Sequence, residues 1–181
     1  YAAAITSNIG YLKQHQAGNS NPIIDQLDEN AQGIVTQLSD SIWVLKNEHL
    51  AITKLSDRLK SWMQRMMQNY PQTTYFFNED IENDIKLTPA LALHLFLILK
   101  ECITNALKHS GCTEMHIYVE SSSVLKFVLE DNGKGFDMKT IRVGNGIENI
   151  KHRAKQSNFD IRWEPLQPFG TRICLVGNTT N

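Results

Sequence analysis

The sequence predicts an α+β protein: helices segregated from a mostly antiparallel sheet, in a two-layer α/β sandwich preceded by a helical hairpin. Three patterns predict it. Ile24, Ala31, Leu38 and Leu45 recur every seven residues, with Leu27 and Ile34 between them, the seam of a coiled coil or helix bundle. The apolar stretch of residues 89–99 opens a helix expected to run to Ser110, between Thr88-Pro89 and Gly111, which are helix start and stop signals. Beyond Gly111 the apolar repeat changes from the helical period to strict alternation at Met115, Ile117 and Val119. Runs of helix followed by runs of strand give an α+β layer architecture.

Each element has its own signal. Ala2, Ile5, Ile9 and Leu12 make one apolar stripe, broken at Gly18-Asn19-Ser20-Asn21-Pro22, where proline is placed to open a second helix. Two helices with one turn cannot bury both stripes alone. The hairpin therefore pairs with a second copy as a four-helix bundle, or packs on the downstream domain. A third helix is expected over residues 51–69, with Ile52, Leu55, Leu59, Trp62 or Met63, and Met66 on one face, ended by Pro71. Thr74 to Phe77 reads as a short strand and the acidic segment 78–86 as a loop. Thr88 caps the long helix, and its all-apolar first half is expected to lie against a sheet. A hairpin of strands follows around Ser121-Ser122-Ser123. Then come a glycine-punctuated loop to Gly146, an amphipathic helix over 147–157, and strands at 159–163 and 171–176.

The chain has 181 residues, enough for one domain and an appendage or two small domains. Lys+Arg 18 against Asp+Glu 19 leaves a net charge of −1, so no basic face advertises nucleic acid as a partner. The cysteines Cys102, Cys112 and Cys174 form no CxxC pair, which argues against a disulfide scaffold and fits a reducing cytoplasmic setting. The most apolar stretch, residues 89–99, is interrupted by His94 and falls short of the roughly 20 residues of a membrane span. No membrane contact is expected of these residues. The chain begins with Tyr1 inside a helical pattern, as a piece of a longer protein would.

Four motifs carry chemistry, and their order matters more than any one of them. In Lys100-Glu101-Cys102-Ile103-Thr104-Asn105-Ala106-Leu107-Lys108-His109, helical spacing puts Glu101, Asn105 and Lys108 or His109 on one strip. An amide oxygen there suits Mg²⁺ and a lysine suits phosphate. A helix end turning polar as it meets solvent explains the same residues. Glu130-Asp131-Asn132-Gly133-Lys134-Gly135-Phe136-Asp137 follows a strand. Asp131 is placed to accept from a ligand amine beside a glycine turn, or the segment is an ordinary turn. Gly144-Asn145-Gly146 opens a helix, a site for an anion or a plainly capped start. Phe169-Gly170-Thr171 enters the last strand and says nothing alone. His94 reads as a hydrogen-bonded core residue rather than a ligand. No GxxxxGK[ST], strand-GxGxxG-helix, HExxH or G-x-S-x-G motif occurs.

Taken together, E-x-x-x-N, D-x-G-x-G, G-x-G before a helix and G-T entering a strand resemble the ATP-binding domain shared by gyrase, Hsp90 chaperones, bacterial histidine kinases and MutL proteins. The match covers residues 100–171, and the flanking elements fit the same fold. Within that superfamily, Glu101 to Ser110 and Gly144 to Arg153 are similar to the nitrate-sensor-like histidine kinases, as is the short segment between Phe136 and Asn145. The resemblance implies a Bergerat-type ATP-binding domain over residues 51–181. Residues 1–48 would be the remnant of a dimerisation and histidine-phosphotransfer module.

The resemblance also implies roles. Asn105 would hold Mg²⁺ between the phosphates of ATP, and Glu101 would act as an acid–base or orienting group near the γ-phosphate. Lys108 and His109 would contact phosphate or ribose. Asp131 would accept from the adenine amine, and Gly133 would shape that pocket. Gly135, Gly144 and Gly146 would supply hinges and backbone donors, and Thr171 would support adenine through water. The implied partners are a second copy and a response-regulator protein, with the parent protein anchored in a membrane. In this subfamily the phosphate-accepting histidine precedes an acidic residue. Here the residues after the six histidines are Gln16, Leu50, Leu95, Ser110, Ile117 and Arg153, so the acceptor is expected upstream of Tyr1. Two other classes stand beside the sensor kinase: an ATPase or ATP-gated clamp of the gyrase, Hsp90 or MutL kind, and a serine kinase that restrains a sigma factor.

Overall fold

The structure is a computed structural model. It describes residues 48–135 and 145–178, with residues 27, 31, 33–35, 38–40, 42–44 and 46 of the N-terminal part. The chain divides into two compact units, Tyr1–Asn47 and Glu48–Asn181.

In the first unit every described residue from 27 to 44 is helical. Ala31, Asp40 and Val44 are buried, whereas Leu27, Ile34, Leu38 and Ile42 stay exposed. The apolar row is thus left open within one chain, and Ile42 extends it beyond the seven-residue repeat. The expected first helix, the turn at Gly18–Pro22 and the repeat members Ile24 and Leu45 lie outside the described residues.

The second unit opens on a two-residue strand, β1 (Leu50–Ala51), and runs directly into α1 (Ile52–Met67). Ile52, Leu55, Leu59 and Met63 form the buried stripe, so Met63 rather than Trp62 completes it. Ala51 has no capping side chain. Asp84 takes that duty from a distance, accepting from the Thr53 N–H at 3.0 Å and the Thr53 hydroxyl at 2.9 Å.

The next strand corrects the sequence expectation. β2 spans Thr74–Ile81 and does not stop at Phe77. Asn78, Glu79 and Asp80 are poor strand formers by propensity, but β4 (Glu114–Ser121) offers parallel partners along the whole length, Thr74↔Glu114 to Ile81↔Ser121. Glu79 is then held by Ser56 and Lys60 of α1. The segment expected as loop also contains β3 (Lys86–Leu87), which pairs antiparallel with β1.

Thr88 caps α2 (Pro89–Asn105) by accepting from the Leu91 N–H at 3.3 Å, with Pro89 in the first turn. The helix then widens into a π-helical turn, Ala106–Ser110, before Gly111 turns left-handed. The continuous run Pro89–Ser110 has 22 residues and is apolar enough by composition to cross a bilayer, longer than the stretch the sequence marked. Ala92, Leu95, Phe96, Ile98, Leu99, Cys102 and Ile103 are instead buried in this domain. His94 sits half-buried on the same helix, its Nδ1 2.9 Å from the Ser157 hydroxyl.

The larger sheet has five strands in the order β2-β4-β5-β7-β6. It is completed by β5 (Leu125–Asp131), β6 (Phe159–Pro165) and β7 (Thr171–Gly177). Every pair except β2–β4 is antiparallel. Inward layers follow from register: Val119–Phe127–Leu175, Ile117–Leu129–Ile173, and at the end Met115–Asp131–Thr171. Alternation places these side chains on one face, and all are buried. α1 packs on β2 and α2, while α3 (Asn145–Gln156) packs on α2 and β6. The expected two-layer arrangement of helices on a sheet is the observed one.

Candidate functional site

The register layer at the end of the sheet carries two polar residues, Asp131 and Thr171, each only 4% exposed. They are direct partners across β5 and β7 and face the polar end of α2. Between them lies a cavity of about 570 Å³. Glu101, Asn105, His109 and Ser110 line it from α2 and its π-helical end. Asp131, Lys134 and Gly135 line it from the end of β5, Gly146 and Ile147 from α3, and Trp163, Thr171 and Ile173 from β6 and β7.

Helical spacing explains the first wall. Glu101, Asn105 and His109 are successive i, i+4 positions, and the buried Cys102 and Ala106 beside them continue the wall as apolar floor. Burial pushes the Cys102 thiol up to about 12, with the Glu101 carboxylate adding to the rise. That thiol stays protonated, so it packs rather than reacts.

Asp131 is a buried carboxyl of the cavity. Burial holds its carboxyl above the usual aspartate range, partly offset by hydrogen bonds from the Gly133 N–H and the Ser110 hydroxyl. The Gly133 N–H reaches Oδ1 at 2.9 Å. Asn132 stabilises the following turn by accepting from the N–H groups of Thr113 at 2.9 Å and Glu114 at 3.0 Å. The carboxylate is therefore fixed by its own turn, with acceptor capacity left over for a ligand.

The structure brings Glu101, Asn105, His109, Asp131, Gly135, Gly146 and Thr171 to one cavity. Two others stand apart from its wall: Lys108 is exposed, and Gly133 is buried against Ser110 rather than lining the space. Gly144 lies outside the described residues, as does Phe136. Residues that sequence reasoning did not single out are Ser110, Lys134, Trp163, Ile147, Ile150 and Ile173. Ile147 and Ile150 stand just after a marked glycine motif and could have been found there. Trp163 and Ile173 needed the β6–β7 register.

Residues 90–174 match the family model described as histidine kinase-, DNA gyrase B-, and HSP90-like ATPase. These residues belong to that ATPase family. The ATPase domain includes the Glu101 wall, the Asp131 turn and Thr171. The nitrate/nitrite sensor protein NarX of Escherichia coli strain K12 is 25% identical over 162 residues, covering 84% of this chain and 27% of NarX. The sensor protein VraS of Staphylococcus aureus strain COL is 32% identical over 92 residues, covering 50% of this chain and 26% of VraS. The chain spans about a quarter of the length of these relatives. Among solved structures, the Acinetobacter baumannii histidine kinase AdeS aligns over 99% of this chain and 96% of its own, with TM-score 0.64 and 12% identity. The ATP binding domain of PrrB from Mycobacterium tuberculosis aligns over 75% of this chain and 100% of its own, with TM-score 0.59 and 23% identity. At these identities the likeness is one of fold.

Proposed function

We propose that the ATPase domain is the ATP-binding catalytic part of a two-component sensor histidine kinase. It moves the γ-phosphate of ATP to a histidine upstream of the domain, and thence to an aspartate of a response regulator. The single observation that carries this reading is the convergence of Glu101, Asn105, His109, Asp131 and Thr171 on one cavity. The similarity to NarX and VraS supports a sensor kinase over a clamp or a serine kinase, as does a helical unit with an open apolar row ahead of the domain.

In this reading the adenine amine donates to Asp131, Thr171 assists through water, and Gly133 shapes the turn. His109 and Lys108 meet ribose or phosphate. Gly135, Gly144 and Gly146 provide backbone donors and hinges over the triphosphate. Among the described residues no group of three His, Cys, Asp or Glu side chains forms a metal cage. Magnesium in phosphoryl transfer takes one or two protein oxygens and leaves the rest to phosphates and water, and the Asn105 amide, with Glu101 one turn away, fits that pattern. Bound there, the ion would neutralise charge on the phosphates. Glu101 would orient or accept the proton of the attacking group, and positioning would supply most of the rate. The partners are a second copy through residues 1–48 and a response regulator. The parent protein would be a membrane-anchored sensor with this part in the cytoplasm.

Calorimetry with Mg²⁺ and ATP tests the reading. Asp131→Asn should weaken binding by about 1–3 kcal/mol, and Asn105→Ala should remove the dependence of ATP affinity on Mg²⁺. Unchanged affinity in Asp131→Asn would take adenine recognition away from that residue.

A further inference from the structure

We propose that Asn132 is a positioning residue for nucleotide binding: from outside the cavity it pins the turn after β5 to the entry of β4, and so keeps the Asp131 carboxylate in the cavity wall. The inference rests on the reading of this cavity as an ATP site, and adds a residue that acts on the site without lining it.

Backbone pairing of β5 with β4 ends at Asp131↔Met115. Beyond it the chain turns, and the shape of that turn decides where the Gly133 N–H points. In the structure it reaches Asp131 Oδ1 at 2.9 Å. Asn132 is the residue in between, and its side chain is spent on the entry of β4. The side-chain oxygen accepts from the Thr113 N–H at 2.9 Å and the Glu114 N–H at 3.0 Å, and the amide nitrogen donates to the Thr113 hydroxyl at 3.0 Å. The Asn132 backbone N–H adds a bond to the Glu114 carbonyl at 3.2 Å. The anchor is itself fixed to the start of β2. The Thr113 carbonyl accepts from the Thr74 N–H at 2.9 Å, and the Cys112 carbonyl from the Thr73 hydroxyl at 3.0 Å. At the other end of the turn the Lys134 N–H reaches the Ser110 carbonyl at 3.0 Å. The Asp131 turn is thus held at two points, the end of the π-helical turn and the entry of β4, and Asn132 makes the second.

A polar group gives its full share of affinity only when it already stands in place, since ordering it on binding costs conformational entropy. Without the Asn132 amide, the Thr113 and Glu114 N–H groups turn to water, and one backbone bond alone holds that side of the turn. The Gly133 N–H can then swing off Asp131, whose buried carboxylate loses a donor that balances its charge. The cost reaches the ligand through Asp131, because Asn132 has no face on the cavity.

Calorimetric titration of the full chain with ATP and Mg²⁺, read beside amide hydrogen exchange in isotope-labelled protein, tests the role. In the unmodified chain the Gly133 amide should exchange slowly. Asn132→Ala should weaken ATP binding by about fivefold or more and speed exchange at Gly133, while the amides of α1 exchange as before. Asn132→Asp keeps an acceptor in the same place and should stay within about twofold of the unmodified affinity. An unmodified chain that binds no ATP overturns the ATP reading itself. Where the unmodified chain does bind, unchanged affinity in Asn132→Ala overturns the role of Asn132 and leaves the ATP site standing. So does a loss that Asn132→Asp fails to restore, or faster exchange spread evenly over the domain. Should Asn132→Ala lose cooperative unfolding, Asn132→Gln carries the same test, because a stem one methylene longer moves the oxygen away from both N–H groups. Unchanged affinity there overturns the proposal.

Discussion

The Glu101 carboxylate lies directly against the backbone of Gly146: a Cβ at position 146 would fall 2.3 Å from Glu101 Oε1. The first turn of α3 and the polar end of α2 therefore meet at this contact. The atom in the way is the end of a flexible side chain, so Gly146→Ala should fold. Alanine also favours the helix by up to about 1 kcal/mol. The cost should fall on chemistry instead, since the carboxylate must swing off its place. Urea unfolding should show no loss of stability, while turnover of ATP drops with little change in ATP affinity.

Gly170 presents the opposite case. It adopts φ +119°, and an added Cβ would meet the Asp131 carbonyl oxygen at 2.1 Å. Both obstacles are backbone, so nothing can swing away. Gly170→Ala should lower stability by about 1–3 kcal/mol, read as a fall in the urea midpoint. A variant as stable as the parent would show that this strand entry is not held as described.

His94 makes stability sensitive to mild acid. Burial holds its imidazole below the ordinary histidine value, and the nearby positive groups Arg153 and His152 push it the same way. The unfolded chain then binds the proton more readily than the folded one, so stability rises with pH across this window. The contribution is present above the ordinary histidine range and is lost as pH falls toward the depressed value. Comparing urea midpoints of the parent and His94→Gln above and below about pH 6.5 isolates it. The parent should lose more stability than the variant on acidification, and parallel losses would exclude His94 as the source.

Trp163 lines the cavity, whereas Trp62 belongs to α1 and Trp43 to the first unit. Tryptophan emission responds to the polarity around the ring, so filling the cavity with Mg²⁺ and ATP should shift the spectrum. In Trp163→Phe that shift should vanish. An identical response in the variant would place the nucleotide away from Trp163.

Leu38 is 50% exposed within a single chain, in the row that also contains Leu27, Ile34 and Ile42. If a second copy covers this row, Leu38→Glu would bury an unpaired charge, at a cost of several kcal/mol. Sedimentation should then show a dimer for the parent and a monomer for the variant, with ATP binding intact in both. A parent that stays monomeric at high micromolar concentration would end the dimer reading.

The residues of the cavity were legible wherever the signal was local. Glu101, Asn105 and His109 share a helix face by spacing alone, and Asp131 stands where a strand runs into a glycine turn. Thr88-Pro89 marked the start of α2, and alternation marked β4 and β5. Ser110 stood at the end of a marked motif, but its close approach to Gly133 depends on a turn whose shape follows from the π-helical end. Trp163 and Lys134 were silent for the same kind of reason. No local pattern says which inward side chain of an edge strand reaches a cavity.

By itself the sequence determined the helix and strand periods, the caps, and the order of four motifs, since these depend on dihedral preferences and on side-chain spacing within a few residues. Only the tertiary structure decided the rest. The length of β2 came from parallel pairing with β4, whose hydrogen bonds outweigh the weak strand propensity of Asn78, Glu79 and Asp80. The meeting of Asp131 with Thr171 came from register across β5 and β7, and a one-residue slip would have turned both side chains to the opposite face. Contacts between residues far apart in the chain exist only once the sheet has closed, and their energies cannot be read from neighbours in sequence.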